Sequence, residues 1–282
     1  MAIAHEAQVD LKLEDFDRIS RQVPFICNLQ PSGTYPIVSL DSSGGIPVVL
    51  KTIEYALNTQ AMTVAGKTIG ELLEGVTEVH NDVIKPLDAP QKSEGGIAVL
   101  YGNLAPKGAV IKQSGVKESM YYFKGKARVF NSMEEADEAI SQNQISKGTV
   151  IVIRYEGPKG GPGMREMLST TALIMGRKMD EDCALVTDGR FSGATHGPCI
   201  GHVSPEAAAG GPIAFIEDGD EIEIDLLART LKAAVSEEEF AKRRQGWTPI
   251  VKPRKPALAK YAALVSSADT GAIIDVSNLS GK

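Results

Sequence analysis

Thr149-Val-Ile-Val-Ile-Arg154 is rich in β-branched residues and has the pattern of a buried strand. The same pattern recurs in the second part of the chain, at residues 97–101, 109–112, 127–130, 183–187, 212–216 and 221–226. Glycine, proline, asparagine and aspartate separate these runs, as is typical of strands joined by turns. Helical patterns interrupt them only at about 133–142, 164–176 and 236–245, so strands and long helices do not alternate. We therefore predict an α+β fold with a barrel-like sheet over residues 89–282, and not a doubly wound sheet.

The first part of the chain has a helical pattern instead. Apolar residues at 11, 13, 16 and 19 recur at helical spacing, and the stretch from Ile46 to Leu57 keeps that period after Gly44-Gly45. Thr68 is placed to cap a further helix. The pattern changes after Pro86, so we predict a helical segment over residues 1–88.

Composition excludes several classes of function. The 282 residues are 43% apolar and carry a net charge of −6, with acidic and basic residues interspersed. No concentrated basic face suits a nucleic acid, and the short cluster Lys252-Pro253-Arg254-Lys255 favours a solvated segment. No apolar run approaches the roughly 20 residues that span a bilayer, and the start lacks the pattern of a secretory signal. We expect a cytoplasmic protein with no membrane or nucleic-acid partner.

The cysteines are sparse and odd in number. Cys27, Cys183 and Cys199 show no C-x-x-C spacing, so they describe neither a zinc site nor a self-contained iron–sulfur site. His196 and His202 flank Cys199, but their spacing matches no zinc pattern. We expect Cys27 and Cys183 to be small apolar residues that are buried or half-buried.

Two loops contain residues that could act in catalysis or bind a metal ion. Thr187-Asp-Gly-Arg-Phe-Ser192-Gly-Ala-Thr-His-Gly197 follows a predicted strand, and its glycines leave backbone N–H groups free for an anion. It is not a nucleophile elbow, because Arg190 stands where G-x-S-x-G needs glycine, and Ser192 by itself is as compatible with a turn. Glu166 follows Gly160-Gly-Pro-Gly. It could complement a helix dipole or ligate a hard metal ion.

A third motif is excluded. Gly66-Lys67-Thr68 lacks the glycine that a phosphate-binding loop needs at position 61, where Ala61 stands, so a turn before a helix is the better interpretation.

Longer blocks resemble one enzyme family, the dihydroxy-acid and phosphogluconate dehydratases. The blocks are residues 157–167, 186–195 and 200–214, together with 10–19, 63–68, 85–88 and 102–110. The resemblance implies that residues 89–282 form the family's swivelling β-barrel domain. It also implies that residues 1–88 close an α/β N-terminal domain, most of which belongs to an N-terminal half outside this sequence.

The resemblance also implies roles for individual residues. Ser192 matches the serine that takes the C2 proton of a 2,3-dihydroxy acid, and Glu166 matches a glutamate ligand of Mg²⁺. Gly193, Thr195 and His196 are expected to contact the substrate. The iron–sulfur cluster, whose iron assists loss of the 3-hydroxyl, and the other magnesium ligands are expected on the N-terminal half. Many branched-chain members have arginine where this chain has His196.

These expectations define a function with alternatives. The first is a hydro-lyase of branched-chain amino-acid (isoleucine and valine) biosynthesis that forms a 2-keto acid and is active only with the N-terminal half. An aldonic-acid dehydratase and a non-catalytic partner subunit are the alternatives, and retention of Ser192 and Glu166 argues against the last. We also expect a cluster-bearing partner chain or self-association to cover an apolar face. Its candidate positions are Ile46, Val49, Leu50, Ile53, Leu57, Leu72 and Leu73.

Overall fold

The computed structural model describes residues 1–193 and 195–274. Residues 275–282, the end of the predicted barrel domain, lie outside them. The chain divides into two compact units: Arg18–Gly96 is one, and Met1–Asp17 with the chain from Ile97 onward is the other. The sequence did not predict that the first residues group with the second unit, and the proposed domain boundary near residue 88 stays a prediction.

The elements bear out most of the predicted pattern. The helices are α1 (Ala2–Glu6), α2 (Leu13–Gln22), α3 (Val38–Ser42), α4 (Gly45–Thr52), α5 (Ile69–Leu73), α6 (Met133–Ser141), α7 (Leu168–Gly176), α8 (Glu237–Arg244) and α9 (Pro256–Leu264). The strands are β1 (Ala98–Leu100), β2 (Ala109–Ile111), β3 (Tyr122–Phe130), β4 (Thr149–Ile153), β5 (Ala184–Thr187), β6 (Cys199–Gly201), β7 (Glu221–Asp225) and β8 (Thr230–Ala233). Among the described residues, no helix has both the length and the apolar character needed to cross a membrane.

The unit Arg18–Gly96 is built from short helices around a small core. Ile26, Leu40, Val48, Val83 and Ile84 form that core. Thr68 caps α5 in a full capping box with Glu71, as its position predicted. The prediction of a helical segment over residues 1–88 holds only in part, because residues 23–37, 57–68 and 74–88 contain no helix. Isolated β-bridges such as Cys27–Ile84 take up backbone groups there instead.

The second unit contains one mixed sheet. Its eight strands, all within the described residues, lie in the order β1-β2-β6-β5-β4-β3-β7-β8. The four central strands are parallel and the outer pairs are antiparallel. A bridge between Tyr101, just after β1, and Thr230, at the start of β8, brings the two edges together. The sheet therefore nearly closes, and the predicted α+β barrel-like fold is confirmed.

The burial of both faces of strand β4 explains why its sequence is continuously apolar. Val150 and Val152 join the cluster inside the barrel, whereas Ile151 and Ile153 pack with residues of α6 and α7. Alternate side chains of a strand point to opposite faces, so a strand covered on both faces needs apolar residues at every position.

Three local predictions were wrong. Pro212–Phe215 forms a 3₁₀ turn and not a strand, since a short apolar run alone does not separate these possibilities. The segment from Lys252 is not a solvated tail: Lys252 Nζ lies 2.8 Å from the buried Glu156 carboxylate. Helix α7 begins at Leu168, so Glu166 lies in the loop before it and not in its first turn.

Candidate active site

Two buried carboxylates hold the glycine-rich loop that leads to Glu166. Asp188, fully buried at the end of β5, accepts N–H groups from Tyr155 at 3.1 Å, Glu156 at 2.9 Å and Ala207 at 2.9 Å. Glu206 accepts the N–H groups of Lys159 at 2.9 Å and Gly160 at 2.8 Å. The loop therefore takes its shape from side chains distant in sequence and not from glycine alone.

Burial changes the acidity of Glu206. Desolvation raises its pKa to about 7, while the N–H groups of Gly160 and Lys159 oppose the shift and nearby Asp188 adds to it. Burial also raises the pKa of Asp188. These carboxyls lose protons at higher pH in the folded protein than in the unfolded chain, where a glutamate titrates near pKa ~4.3.

The raised pKa of Glu206 predicts a stability that falls with pH. A group whose folded pKa is raised contributes stability that is complete below its unfolded pKa and is lost as pH rises through the folded pKa. The contribution of Glu206 to the free energy of unfolding should therefore fall by on the order of 3 kcal/mol at most between about pH 5 and about pH 8. Burial lowers the pKa of His202 to about 4, which contributes in the opposite direction, so the test compares the unmodified chain with Glu206→Gln. Glu206→Gln should remove the fall that Glu206 causes, measured by urea unfolding at both pH values. An unchanged slope in that variant would show that Glu206 is not the titrating group.

Glu166 is placed by backbone pairing with the serine loop. It forms a parallel β-bridge with Arg190: Arg190 N–H donates to the Arg165 carbonyl at 3.1 Å, and Met167 N–H donates to the Arg190 carbonyl at 2.7 Å. Arg190 Nη1 also lies 3.2 Å from Glu166 Oε2. Glu166 and Ser192 are therefore on neighbouring loops, with Ser192 two residues after the bridge.

Arg165 fixes the backbone just before Glu166. Its guanidinium contacts both carboxylate oxygens of Glu134, at 2.6 and 3.0 Å, and Glu156 Oε1 at 3.4 Å. The same Glu156 oxygen accepts Met133 N–H at 3.0 Å and Lys252 Nζ at 2.8 Å. The carbonyl of Arg165 that pairs with Arg190 is thus tied to α6 and to the segment around Lys252.

The serine loop is a backbone turn packed beside β2. Half-buried Ser192 accepts Thr195 N–H at 3.2 Å, and Gly197 N–H donates to the Gly115 carbonyl at 3.1 Å. Lys112 Nζ donates to the carbonyl of exposed Gly193, and burial lowers the pKa of Lys112. A cation therefore lies beside the residue that follows Ser192.

Thr195 and His196 differ in their surroundings. Thr195 is buried, and its hydroxyl oxygen has no hydrogen-bond partner within residues 1–193 and 195–274. Buried hydroxyls are usually satisfied, so this oxygen is available to a ligand or a water molecule. His196 is half-buried and accepts a weak hydrogen bond from the Cys199 thiol, at 3.5 Å, through its backbone carbonyl.

No role was predicted from the sequence for Arg190, Lys112, Asp188 or Glu206. Arg190 and Asp188 stand inside the motif that contains Ser192, so their position was a signal that could have been used. Lys112 and Glu206 become part of the site only through strand pairing and loop packing.

The residues that the structure describes fit one ligand of a divalent cation and do not fit an iron–sulfur cluster. Glu166 is 30% exposed, and its Oε1 accepts no hydrogen bond within the described part of the chain, so a hard cation could reach it. The described residues contain no group of three or more His, Cys, Asp or Glu side chains that could hold a metal. Cluster ligation needs thiolates, but burial raises the pKa of Cys27 and Cys183, and that of Cys199 to about 12.

Comparison with models of known protein families identifies the enzyme family to which this chain belongs. Residues 82–272 match the model of the dihydroxy-acid/6-phosphogluconate dehydratase C-terminal domain, and residues 1–72 match that of the N-terminal domain. These proteins are hydro-lyases, the class of enzymes that eliminate water from a substrate. The chain belongs to the dihydroxy-acid/6-phosphogluconate dehydratase family, as the sequence predicted, and the family is metal-dependent.

Its relatives are longer proteins. A dihydroxy-acid dehydratase of Clostridium novyi (strain NT) is 54% identical over 279 residues, which are 98% of this chain and 50% of the relative. Those of Ignicoccus hospitalis and Pyrococcus furiosus are each 53% identical, over 97% of this chain and 50% of their own length. The chain therefore spans about half the length of the curated relatives it matches.

Proposed function

We propose that this chain is the part of a dihydroxy-acid dehydratase that provides the proton-abstracting serine and one magnesium ligand. The observation that supports it best is the Glu166–Arg190 bridge, which sets the only candidate ligand in this motif beside the loop of Ser192. The dehydratases named above, similar over nearly all of this chain, support the same class of substrate, a 2,3-dihydroxy carboxylic acid.

In this proposal Ser192 takes the C2 proton of the substrate. A free hydroxyl is a poor base, so its alkoxide needs positive surroundings, which Lys112 and Arg190 supply. The expected free N–H groups of the loop glycines do not add to them at Gly189 and Gly197, because these donate to Thr187 Oγ1 and to the Gly115 carbonyl. When bound, Mg²⁺ would stabilise the negative charge that develops on the substrate carboxylate and C2. The 3-hydroxyl leaves as hydroxide, which together with the proton taken from C2 makes up the released water, and the remaining enol tautomerises to the 2-keto acid. The cytoplasmic location is part of the same proposal.

Gly193, Thr195 and His196 are proposed to contact the substrate. The Thr195 hydroxyl, which has no hydrogen-bond partner among the described residues, supports this for one of them, because a bound hydroxy acid would satisfy it. A branched-chain dihydroxy acid, a precursor of isoleucine and valine, is the first candidate because the relatives described are dihydroxy-acid dehydratases. An aldonic acid is the second, because the matching family model also covers 6-phosphogluconate dehydratases.

The exposed apolar residues of the unit Arg18–Gly96 support the proposal that a partner chain carries the rest of the enzyme. Ile46 is 58% and Leu72 44% exposed, and Ile37 and Val38 are each 68% exposed. The predicted face is smaller than the sequence suggested, because Leu73 is 2% exposed and Val49 and Ile53 pack on the core. The iron–sulfur cluster and the other magnesium ligands are proposed to lie on the N-terminal half, and the exposed apolar surface is proposed to bind that half or a second copy of this chain.

The proposal predicts that this chain is inactive alone and active with the N-terminal half of a relative. The two polypeptides would be mixed anaerobically with iron, sulfide and Mg²⁺, and 2-keto acid formation measured from a branched-chain dihydroxy acid and from an aldonic acid.

Ile46→Lys should weaken the association of the two polypeptides in a titration by about tenfold or more, because it places a charge in an apolar contact. Leu227→Lys, at a site 76% exposed in the barrel unit, is the matched control.

Two results would contradict the proposal. Dehydration by the chain alone would remove the need for a partner. Stable association without activity on either acid would favour the third alternative, a non-catalytic partner subunit.

A further inference from the structure

Arg190 and Glu166 form a pair that the backbone sets in register. Because the two residues face each other in a parallel bridge, their side chains leave the ladder on the same side. Arg190 Nη1 lies 3.2 Å from Glu166 Oε2. This contact is therefore built into the backbone bridge between the two loops and is not a chance meeting of two surface side chains.

The guanidinium is anchored at one end only. Arg190 Nε donates to the Met164 carbonyl at 2.8 Å, and Met164 is a buried residue in the left-handed region with φ of 58°. The Arg190 side chain is nevertheless 46% exposed. One edge of the guanidinium is thus fixed to the backbone, while the end that contacts Glu166 can move into solvent.

We propose that Arg190 is the counter-ion of Glu166 in the metal-free protein and that it competes with a divalent cation for this carboxylate. The inference rests on the proposed function, which makes Glu166 a metal ligand. A cation that coordinates Glu166 at about 2.1–2.6 Å would lie beside the guanidinium. Both are positive and compete for one carboxylate, so binding of either weakens binding of the other.

This competition has a consequence for the isolated chain. Glu166 is partly exposed and could be reached by a cation, yet its charge is already neutralised by Arg190. Removal of the arginine charge should therefore strengthen cation binding, which is the opposite of what loss of a purely structural residue would do.

The test measures binding of Mn²⁺ alone to the 282-residue chain by electron paramagnetic resonance. Arg190→Gln and Arg190→Met remove the charge and should each lower the dissociation constant by about tenfold, within the usual range of coupling between two sites. Arg190→Lys keeps the charge and should stay within about twofold of the unmodified chain. Arg128→Gln, whose side chain is 45% exposed and pairs with Asp218, is the matched control and should change nothing. The fluorescence of Trp247, the single tryptophan, checks that each variant is folded.

A double variant separates the two hypotheses. The gain from Arg190→Gln should disappear when Glu166→Gln is also present. Unchanged affinity in both charge-free variants, or a gain that persists without Glu166, would overturn the counter-ion role while leaving Glu166 as a ligand wherever Glu166→Gln alone weakens binding. If Glu166→Gln alone has no effect on Mn²⁺, the metal assignment in the proposed function fails instead.

Discussion

Replacement of Ser192 by alanine should lower kcat of the reconstituted enzyme by about a thousandfold while substrate affinity stays nearly unchanged. General-base groups contribute roughly 10²–10⁴-fold to a rate, and a group that acts only in the transition state lowers kcat and kcat/KM together. The loop itself should persist in Ser192→Ala, because its turn is a backbone hydrogen bond from Thr195 N–H to the carbonyl of residue 192. Steady-state kinetics with a branched-chain dihydroxy acid would measure the effect.

A serine outside the site provides the comparison. Ser141, exposed at the end of α6, can be changed to alanine without touching either loop, and kcat should then be unaffected. If Ser192→Ala turns over at a rate close to that of Ser141→Ala, Ser192 is a turn residue and the base must be sought elsewhere. Lys112 would be the next candidate, because its amine reaches Gly193 and burial lowers its pKa.

The fold was predictable where pattern and burial agree. Strand β7, Glu-Ile-Glu-Ile-Asp, alternates in burial as it does in sequence, and β4 is apolar because both of its faces are covered. Strands β6 (Cys-Ile-Gly) and β8 (Thr-Leu-Lys-Ala) were missed because each has a single β-branched residue and no aromatic one. Helix α9 follows a stretch of prolines and basic residues. In that stretch Lys252 contacts Glu156, which lies 96 positions earlier in the chain, so no local pattern could predict the contact.

The site was predictable only in part. Local sequence left Ser192 and Glu166 ambiguous, and the family resemblance decided between the alternatives. The pairing of Glu166 with Arg190 joins residues 24 apart, and the contact of Lys112 with Gly193 joins residues 81 apart. Such contacts follow from the order of strands in the sheet, which no periodicity in the sequence specifies.

Asp188, at the end of β5, holds the start of the glycine-rich loop and the segment at Ala207 through three hydrogen bonds from backbone N–H groups. Its Oδ2 accepts from Tyr155 and Ala207 and its Oδ1 from Glu156, and the residue is fully buried. Burial raises the pKa of this carboxyl, so part of the energy of these bonds is offset by desolvation. Removal of the side chain would nevertheless leave three N–H groups without their acceptor, and each buried unsatisfied donor costs about 1–3 kcal/mol.

Asp188→Ala should therefore lower the free energy of unfolding of the barrel unit by about 4 kcal/mol. Trp247 reports on this unit, because its indole N–H donates to the Tyr155 hydroxyl at 3.2 Å, so its fluorescence in a urea titration measures the loss. Asp218→Ala is the matched control: its carboxylate also accepts a backbone N–H, from Val129 at 2.7 Å, but its side chain is 48% exposed. Water can replace that acceptor, so the control should lose about 1 kcal/mol or less. Equal losses in the two variants would mean that burial of the Asp188 hydrogen bonds is not what holds the glycine-rich loop against the end of β5.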